Sequence, residues 1–171
     1  MLEISGLEPN TAVLDVGCGI GGTTRHLARE HGCAVTGVTI SGRQVQIARR
    51  LTAEESGQET STTTGSTSPN DDNSDDGFTP LGSRGGRVRY QELDAEKMES
   101  HFAPASFDCV WIAEALSHFP DKALFFRNAA RVLSKKGTGT GKGKLVIADW
   151  FRAADLTDEL VERDIRPIEG R

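Results

Sequence analysis

The chain has 171 residues, enough for one domain with a real core and too few for two full enzyme domains. Its hydrophobic share of 36% and mean hydropathy of −0.40 point either to disorder or to an ordered core carrying a polar insertion. A net charge of −5 disfavours a nucleic-acid partner, because a phosphate-backbone binder needs a basic face.

The polar excess is concentrated in residues 56–86, where Phe78 and Leu81 are the only large apolar side chains, so the insertion reading holds. That block sets Glu59, Asp71, Asp72, Asp75 and Asp76 against Arg84 alone, and the rest of the chain is nearly neutral. It cannot bury enough apolar surface to offset its ordering entropy and is expected as a disordered surface loop inside a single domain spanning 1–171. No apolar run approaches the roughly 20 residues of a membrane span. The first residues lack the basic-then-apolar order of a secretion signal. The three cysteines, Cys18, Cys33 and Cys109, are odd in number and lack CxxC spacing, so reduced thiols in a cytoplasmic setting are expected. The histidines show no metal-ligand spacing, and no metal is expected.

Strand-like apolar runs alternate with helix-like segments, the pattern of βαβ units and a mostly parallel sheet. The first strand is read at 12–16, with no polar alternation in Ala12-Val13-Leu14, as befits burial on both faces. A helix follows at 22–30, with Leu27 and Ala28 inward, Arg25 and Arg29 as a solvated stripe, and Gly32 closing it. A second strand is predicted at 34–40 and a helix at 42–54, N-capped by Ser41, with Val45, Ala48 and Leu51 on one face. After the insertion come a third strand at 88–93, a helical turn at 96–98 and a fourth strand at 107–113. A helix starting near Pro120 uses Leu124, Phe125, Ala129, Val132 and Leu133 as its buried stripe. A loop at 137–143, a fifth strand at 144–149 and an amphipathic tail helix at 155–165 complete the chain.

The sharpest local signal is VLDVGCGIGG, residues 13–22. Glycines between a strand end and a helix start let the backbone approach a ligand, and the new helix's N–H groups attract a carboxylate or phosphate. Gly17, Gly19 and Gly22 satisfy the spacing of dinucleotide-binding turns, a weak signal by itself. Two residues argue against a dinucleotide. Asp15 would repel a pyrophosphate but pair with an ammonium group, although it could also simply cap the turn. The position about 20 residues on, where a ribose-binding acid is expected, is Thr39. A ligand with an α-amino acid end suits these residues better.

Residues 15–22 resemble motif I of the class I, Rossmann-like S-adenosylmethionine-dependent methyltransferases. Gly37-Val38-Thr39-Ile40-Ser41 with Gln44 is similar to the branch containing tocopherol methyltransferases, sterol C-methyltransferases and cyclopropane fatty-acid synthases. Asp94-Ala95 resembles the adenine-edge motif, and the stretch from Phe107 through Glu114, His118 and Pro120 resembles the fourth-strand region of that branch. The resemblance implies an open α/β sheet in strand order 3-2-1-4-5 with helices on both faces, lacking the family's last two strands because the chain looks truncated. It implies S-adenosyl-L-methionine as cofactor, held by Asp15, Gly17, Cys18, Gly19, Thr39, Ile40, Ser41, Gln44, Asp94, Ala95 and Glu114. His118 and Glu114 are the catalytic candidates, in an in-line methyl transfer to a small-molecule or lipid-like acceptor. Two alternatives stay open: a truncated, non-catalytic S-adenosylmethionine-binding module and, more distantly, a fragment of an NAD-binding oxidoreductase. Each residue also has a plainer reading: Ser41 as an N-cap, Asp94 as a turn former, Glu114 and His118 as structural, and Cys18 as a small unreactive side chain.

Overall fold

The computed structural model describes residues 6–57, 77–133, 143–150 and 155–166, without the side chain of Ile165. Among these residues six strands form one sheet: β1 (Ala12–Val16), β2 (Ala34–Thr39), β3 (Thr79–Pro80), β4 (Arg87–Glu92), β5 (Cys109–Ala113) and β6 (Lys144–Ala148). Their order is β3-β4-β2-β1-β5-β6, with every neighbouring pair parallel except β3 with β4. The five strands read from the sequence thus lie in the expected order, with a short antiparallel strand added at the edge.

Central β1 alternates its side chains between two cores. Val13 joins Val35, Val88 and Cys109 beneath α1 (Gly22–His31) and α2 (Gly42–Ser56). Leu14 and Val16 join Val38, Val110 and Ile112 on the other face, beneath α3 (Met98–His101) and α4 (Lys122–Val132). Both faces are covered, which is why the strand is apolar throughout. Gly21 and Gly32, both left-handed, bracket α1. Asp121 caps α4 by accepting from the Leu124 N–H at 2.8 Å, so that helix starts just after Pro120 rather than at it.

Three expectations are corrected. The surface loop over 56–86 is too long at both ends: Ser56 completes α2, and Thr79–Pro80 pairs with β4. Leu81 is buried in the first core, and Gly86 lies so close to α1 that a Cβ there would overlap the Ala28 carbonyl. Burial of this leucine acts together with the Leu81 N–H donating to the Gly86 carbonyl at 2.8 Å and with Arg87 and Arg89 lying over the Phe78 ring to tie the end of an otherwise polar block to the sheet. Residues 58–76 lie outside those described, as does the 137–143 loop apart from Gly143. Arg25, read as solvated, is buried: it pairs with Glu55 of α2 at 2.8 Å and donates to the Ile20 carbonyl at 2.8 Å. The tail helix starts later than expected: α5 (Asp158–Leu160) runs on directly into a π-helical stretch, Val161–Ile165, in which Val161 is buried.

Candidate functional site

A cleft of about 500 Å³ opens at the carboxyl ends of β1, β2, β4 and β5. It lies where the chain's crossovers leave β1 in opposite directions, β2 to one side and β5 to the other, the place where open α/β sheets hold ligands. Gly17, Gly19, Thr39, Ile40, Gln44, Asp94, Ala95, Glu114 and His118 all line it, so nine sequence-derived candidates from four separate segments meet in one space.

The glycine turn is seated on the sheet beneath it. The N–H groups of Gly17 and Cys18 both donate to the Val38 carbonyl, at 2.9 and 3.0 Å. A Cβ on Gly37 would press within 3.0 Å of the Cys18 Sγ, the Thr24 hydroxyl and the Tyr90 ring, so a bare backbone there is what allows the turn to settle. Gly17, at φ +72, faces Ala115 so closely that an added Cβ would stand 2.5 Å from the Ala115 Cβ. The turn after β1 therefore touches the turn after β5 directly.

Three candidates stand apart from the cleft lining. Asp15 is 1% exposed, on the face of β1 covered by α1, and accepts from the Thr24 hydroxyl at 2.6 Å. Burial pushes its carboxyl up to about 7, against the opposing pull of hydrogen bonds from the Thr24 side chain and backbone. It is thereby tied to the first turn of α1. A central strand has no solvent on either face into which the carboxylate could turn. Cys18 is buried, and desolvation pushes its thiol up to about 12, so it is a packing group under the turn. Ser41 accepts from the Gln44 N–H at 3.3 Å as the N-cap of α2.

Around the cleft, the Thr39 hydroxyl donates to Gln44 Oε1 at 2.7 Å, so the Gln44 amide presents its two N–H donors as its remaining groups. Asp94 accepts from the Glu96 N–H at 3.0 Å and caps the short turn Ala95–Lys97, serving as turn former while it lines the cleft. Glu114 has a left-handed backbone, φ +53, held by its N–H donating to Ala148 at 2.7 Å. His118 ends the turn Leu116–His118, which Asp149 steadies by accepting from the Ser117 N–H at 3.2 Å. The charged lining groups are Asp94, Glu96 and Glu114, without a lysine or arginine among them. Among the described residues, no cluster of His, Cys, Asp and Glu could hold a metal ion.

Sequence reasoning missed Glu96, Phe119 and Pro120 as lining residues, and Arg25 and Tyr90 as supports. Arg25 ties the Ile20 carbonyl to Glu55, and Tyr90 packs under Gly21 with its hydroxyl 3.1 Å from that of Thr52. Neither lies in the segment that carries the motif: Arg25 reaches back to it from the next helical turn, and Tyr90 is brought beneath it by the pairing of β4 with β2.

The model of a family described as "Methyltransferase domain" matches residues 14–140. Over 149 residues the chain is 36% identical to the 2-methyl-6-phytyl-1,4-hydroquinone methyltransferase of Synechocystis, covering 87% of this chain and 35% of that protein. It is 30% identical to the chloroplastic tocopherol O-methyltransferase of Arabidopsis thaliana, covering 81% and 30%. The chain spans about a third of the length of these curated relatives. Among solved structures, the Haemonchus contortus phosphoethanolamine N-methyltransferase 2 in complex with S-adenosyl-L-methionine superimposes with a TM-score of 0.64 at 25% identity, covering 94% of this chain and 30% of that one. The Bacillus subtilis YcgJ protein shares the fold with a TM-score of 0.62 at 24% identity, covering 91% and 50%. With its parallel sheet, its glycine turn at the end of β1 and its family match over most of its length, the chain belongs to the class I, Rossmann-like S-adenosylmethionine-dependent methyltransferase domain family.

Proposed function

We propose that the cleft binds S-adenosyl-L-methionine and that the chain, as a single domain with 58–76 inserted in it, supplies the cofactor-binding part of a methyltransferase for a small-molecule or lipid-like acceptor. The observation that carries this is the charge of the lining: three carboxylates and no lysine or arginine favour a cation and repel a pyrophosphate, which argues against the dinucleotide reading. The rest of the lining suits the same ligand. Ile40, 76% exposed, forms an apolar wall with Val38 and Leu93 against which a flat base can lie. Thr39 and Gln44 offer polar groups beside it, and at Gly19 a Cβ would meet nothing within 4 Å, leaving room for close approach. Gly17, Gly19, Ile40, Gln44, Asp94, Ala95 and Glu114 would hold the ligand, with Asp15, Cys18 and Ser41 fixing the backbone from behind.

When bound, S-adenosylmethionine supplies an electrophilic methyl carbon, which passes to a nucleophilic acceptor atom as the carbon–sulfur bond breaks. The chain's own contribution is alignment and exclusion of water. His118, which lines the same cleft, would orient the acceptor or take its proton. The hydroquinone and tocopherol methyltransferases among the relatives support an acceptor with a lipid-like tail. Among the described residues no helix is long and apolar enough to cross a membrane. Three buried thiols without disulfide partners support a reducing, cytoplasmic type of compartment. The nearly neutral balance outside the acidic block, with no basic lining, supports a partner other than nucleic acid.

A non-catalytic S-adenosylmethionine-binding module is the second reading. Calorimetric titration with S-adenosylmethionine and with NAD tests the ligand, and methyl incorporation into prenylated phenols separates enzyme from module. Binding of NAD with no heat from S-adenosylmethionine would overturn the proposal.

A further inference from the structure

The buried side chains of α4 are apolar except one. Asn128, 1% exposed, stands in the stripe with Phe125, Ala129 and Val132. Its Nδ2 donates to the Glu96 carbonyl at 2.9 Å, whereas its Oδ1 is buried without a hydrogen-bond partner among the described residues. The opposite amide orientation would set Oδ1 against a carbonyl oxygen, so the bond itself fixes which atom faces Glu96. A half-satisfied amide is costly in a core, and what it gains there is its hold on Glu96.

Glu96 is fastened at three points. Its N–H donates to the Asp94 carboxylate at 3.0 Å, its carbonyl accepts from Asn128, and its Oε1 accepts from the Asp121 N–H at 3.2 Å. Asp121 and Asn128 lie about two helical turns apart at the start and middle of α4, so this one helix grips the Ala95–Lys97 turn. The turn forms one wall of the cleft through Asp94, Ala95 and Glu96. It follows Leu93, whose N–H donates to the Thr39 carbonyl at 2.9 Å, and so adjoins Ile40, where the cofactor reading above lays the base. Asn128 itself is not among the residues lining the cleft. We propose that Asn128 is a positioning residue for cofactor binding, whose amide holds the Glu96 carbonyl and keeps the Ala95–Lys97 turn shaped for the base end of the ligand. The inference rests on that cofactor reading and makes one chemical demand. The base end is common to S-adenosylmethionine and S-adenosylhomocysteine, so the amide must serve both equally.

The test is calorimetric titration of the full chain with both ligands, at about pH 8 and well below the melting temperature of each variant. Asn128→Leu and Asn128→Asp keep the size of the side chain and remove the donor, and each should lose about tenfold in affinity for the sulfonium and for the thioether alike. Arg131→Met is the comparison, because Arg131 ties α4 to the same stretch of chain beyond the cleft lining, donating to the Phe102 carbonyl at 3.2 Å. It should keep both affinities within about twofold of wild type. Unchanged affinities in a folded Asn128 variant, a loss confined to one ligand, or an equal loss in Arg131→Met would overturn the inference while leaving the cofactor reading intact. Failure of both Asn128 variants to fold, seen by far-UV circular dichroism, would also overturn it, by showing that the amide serves the fold. A wild-type chain that binds neither ligand overturns both.

Discussion

Gly17 carries two constraints at once, a left-handed backbone and contact with Ala115. Gly17→Ala adds strain on the order of 1–3 kcal/mol and pushes the β5 turn away from the β1 turn. Chemical denaturation should show that loss of stability, and calorimetry a drop of at least about tenfold in cofactor affinity; a variant unchanged in both would contradict the geometry. Asp15 makes a pH prediction. Its folded-state carboxyl titrates near 7, above its unfolded value, so the folded chain binds the extra proton between about pH 4 and 7. Stability from this group therefore falls as pH rises through that window and levels off above it. Asp15→Asn keeps an acceptor for Thr24 and removes the charge, so it should flatten this slope and raise stability at pH 8 by roughly 2–4 kcal/mol in urea titrations. An identical slope in wild type and variant would show that the carboxylate ionises freely.

At the scale of elements, the alternation of apolar runs placed β1 and β2 within a residue of their bounds and read the nearly uniform burial of β1 correctly. Hydrophobic periodicity worked there because each strand is buried on both faces. It failed at β3, where two residues, Thr79–Pro80, pair with β4 and leave too short a signal for any period. It failed again at Arg25, because a charged residue on a helix face reads as solvated until its partner, Glu55, is brought across from α2. The boundary of the polar block is therefore testable. Replacing residues 58–76 by a short Gly/Ser bridge should leave cofactor affinity within about tenfold. Leu81→Ala should cost about 2–5 kcal/mol in denaturant titration, since it empties a site in the core under α1. A stability change below about 0.5 kcal/mol in Leu81→Ala would return this segment to the surface.

For the whole molecule, the order of the five parallel strands was legible because the motif fixed β1 as the strand before the glycine turn and the family resemblance fixed the rest. Which motif residues line the cleft was not legible. Spacing cannot tell a side chain that lines the cleft, such as Gln44, from one turned beneath the turn, such as Asp15 or Cys18, because that depends on which face of the sheet each strand end presents. The same burial governs the thiols: desolvation pushes Cys18 and Cys109 up to about 12 and Cys33 up to about 11. An aromatic disulfide reagent should therefore find all three sluggish in the native chain at pH 8 and all three reactive in denaturant. A thiol that reacts within seconds in the native chain would contradict this packing. The central claim is that the acidic cleft at the ends of β1, β2, β4 and β5 holds S-adenosylmethionine. A crystal structure of the chain grown with that ligand tests it most directly: the account predicts its aminoacyl end at the 17–22 turn and its base against Ile40, whereas density elsewhere, or none in the cleft at saturating ligand, would contradict it.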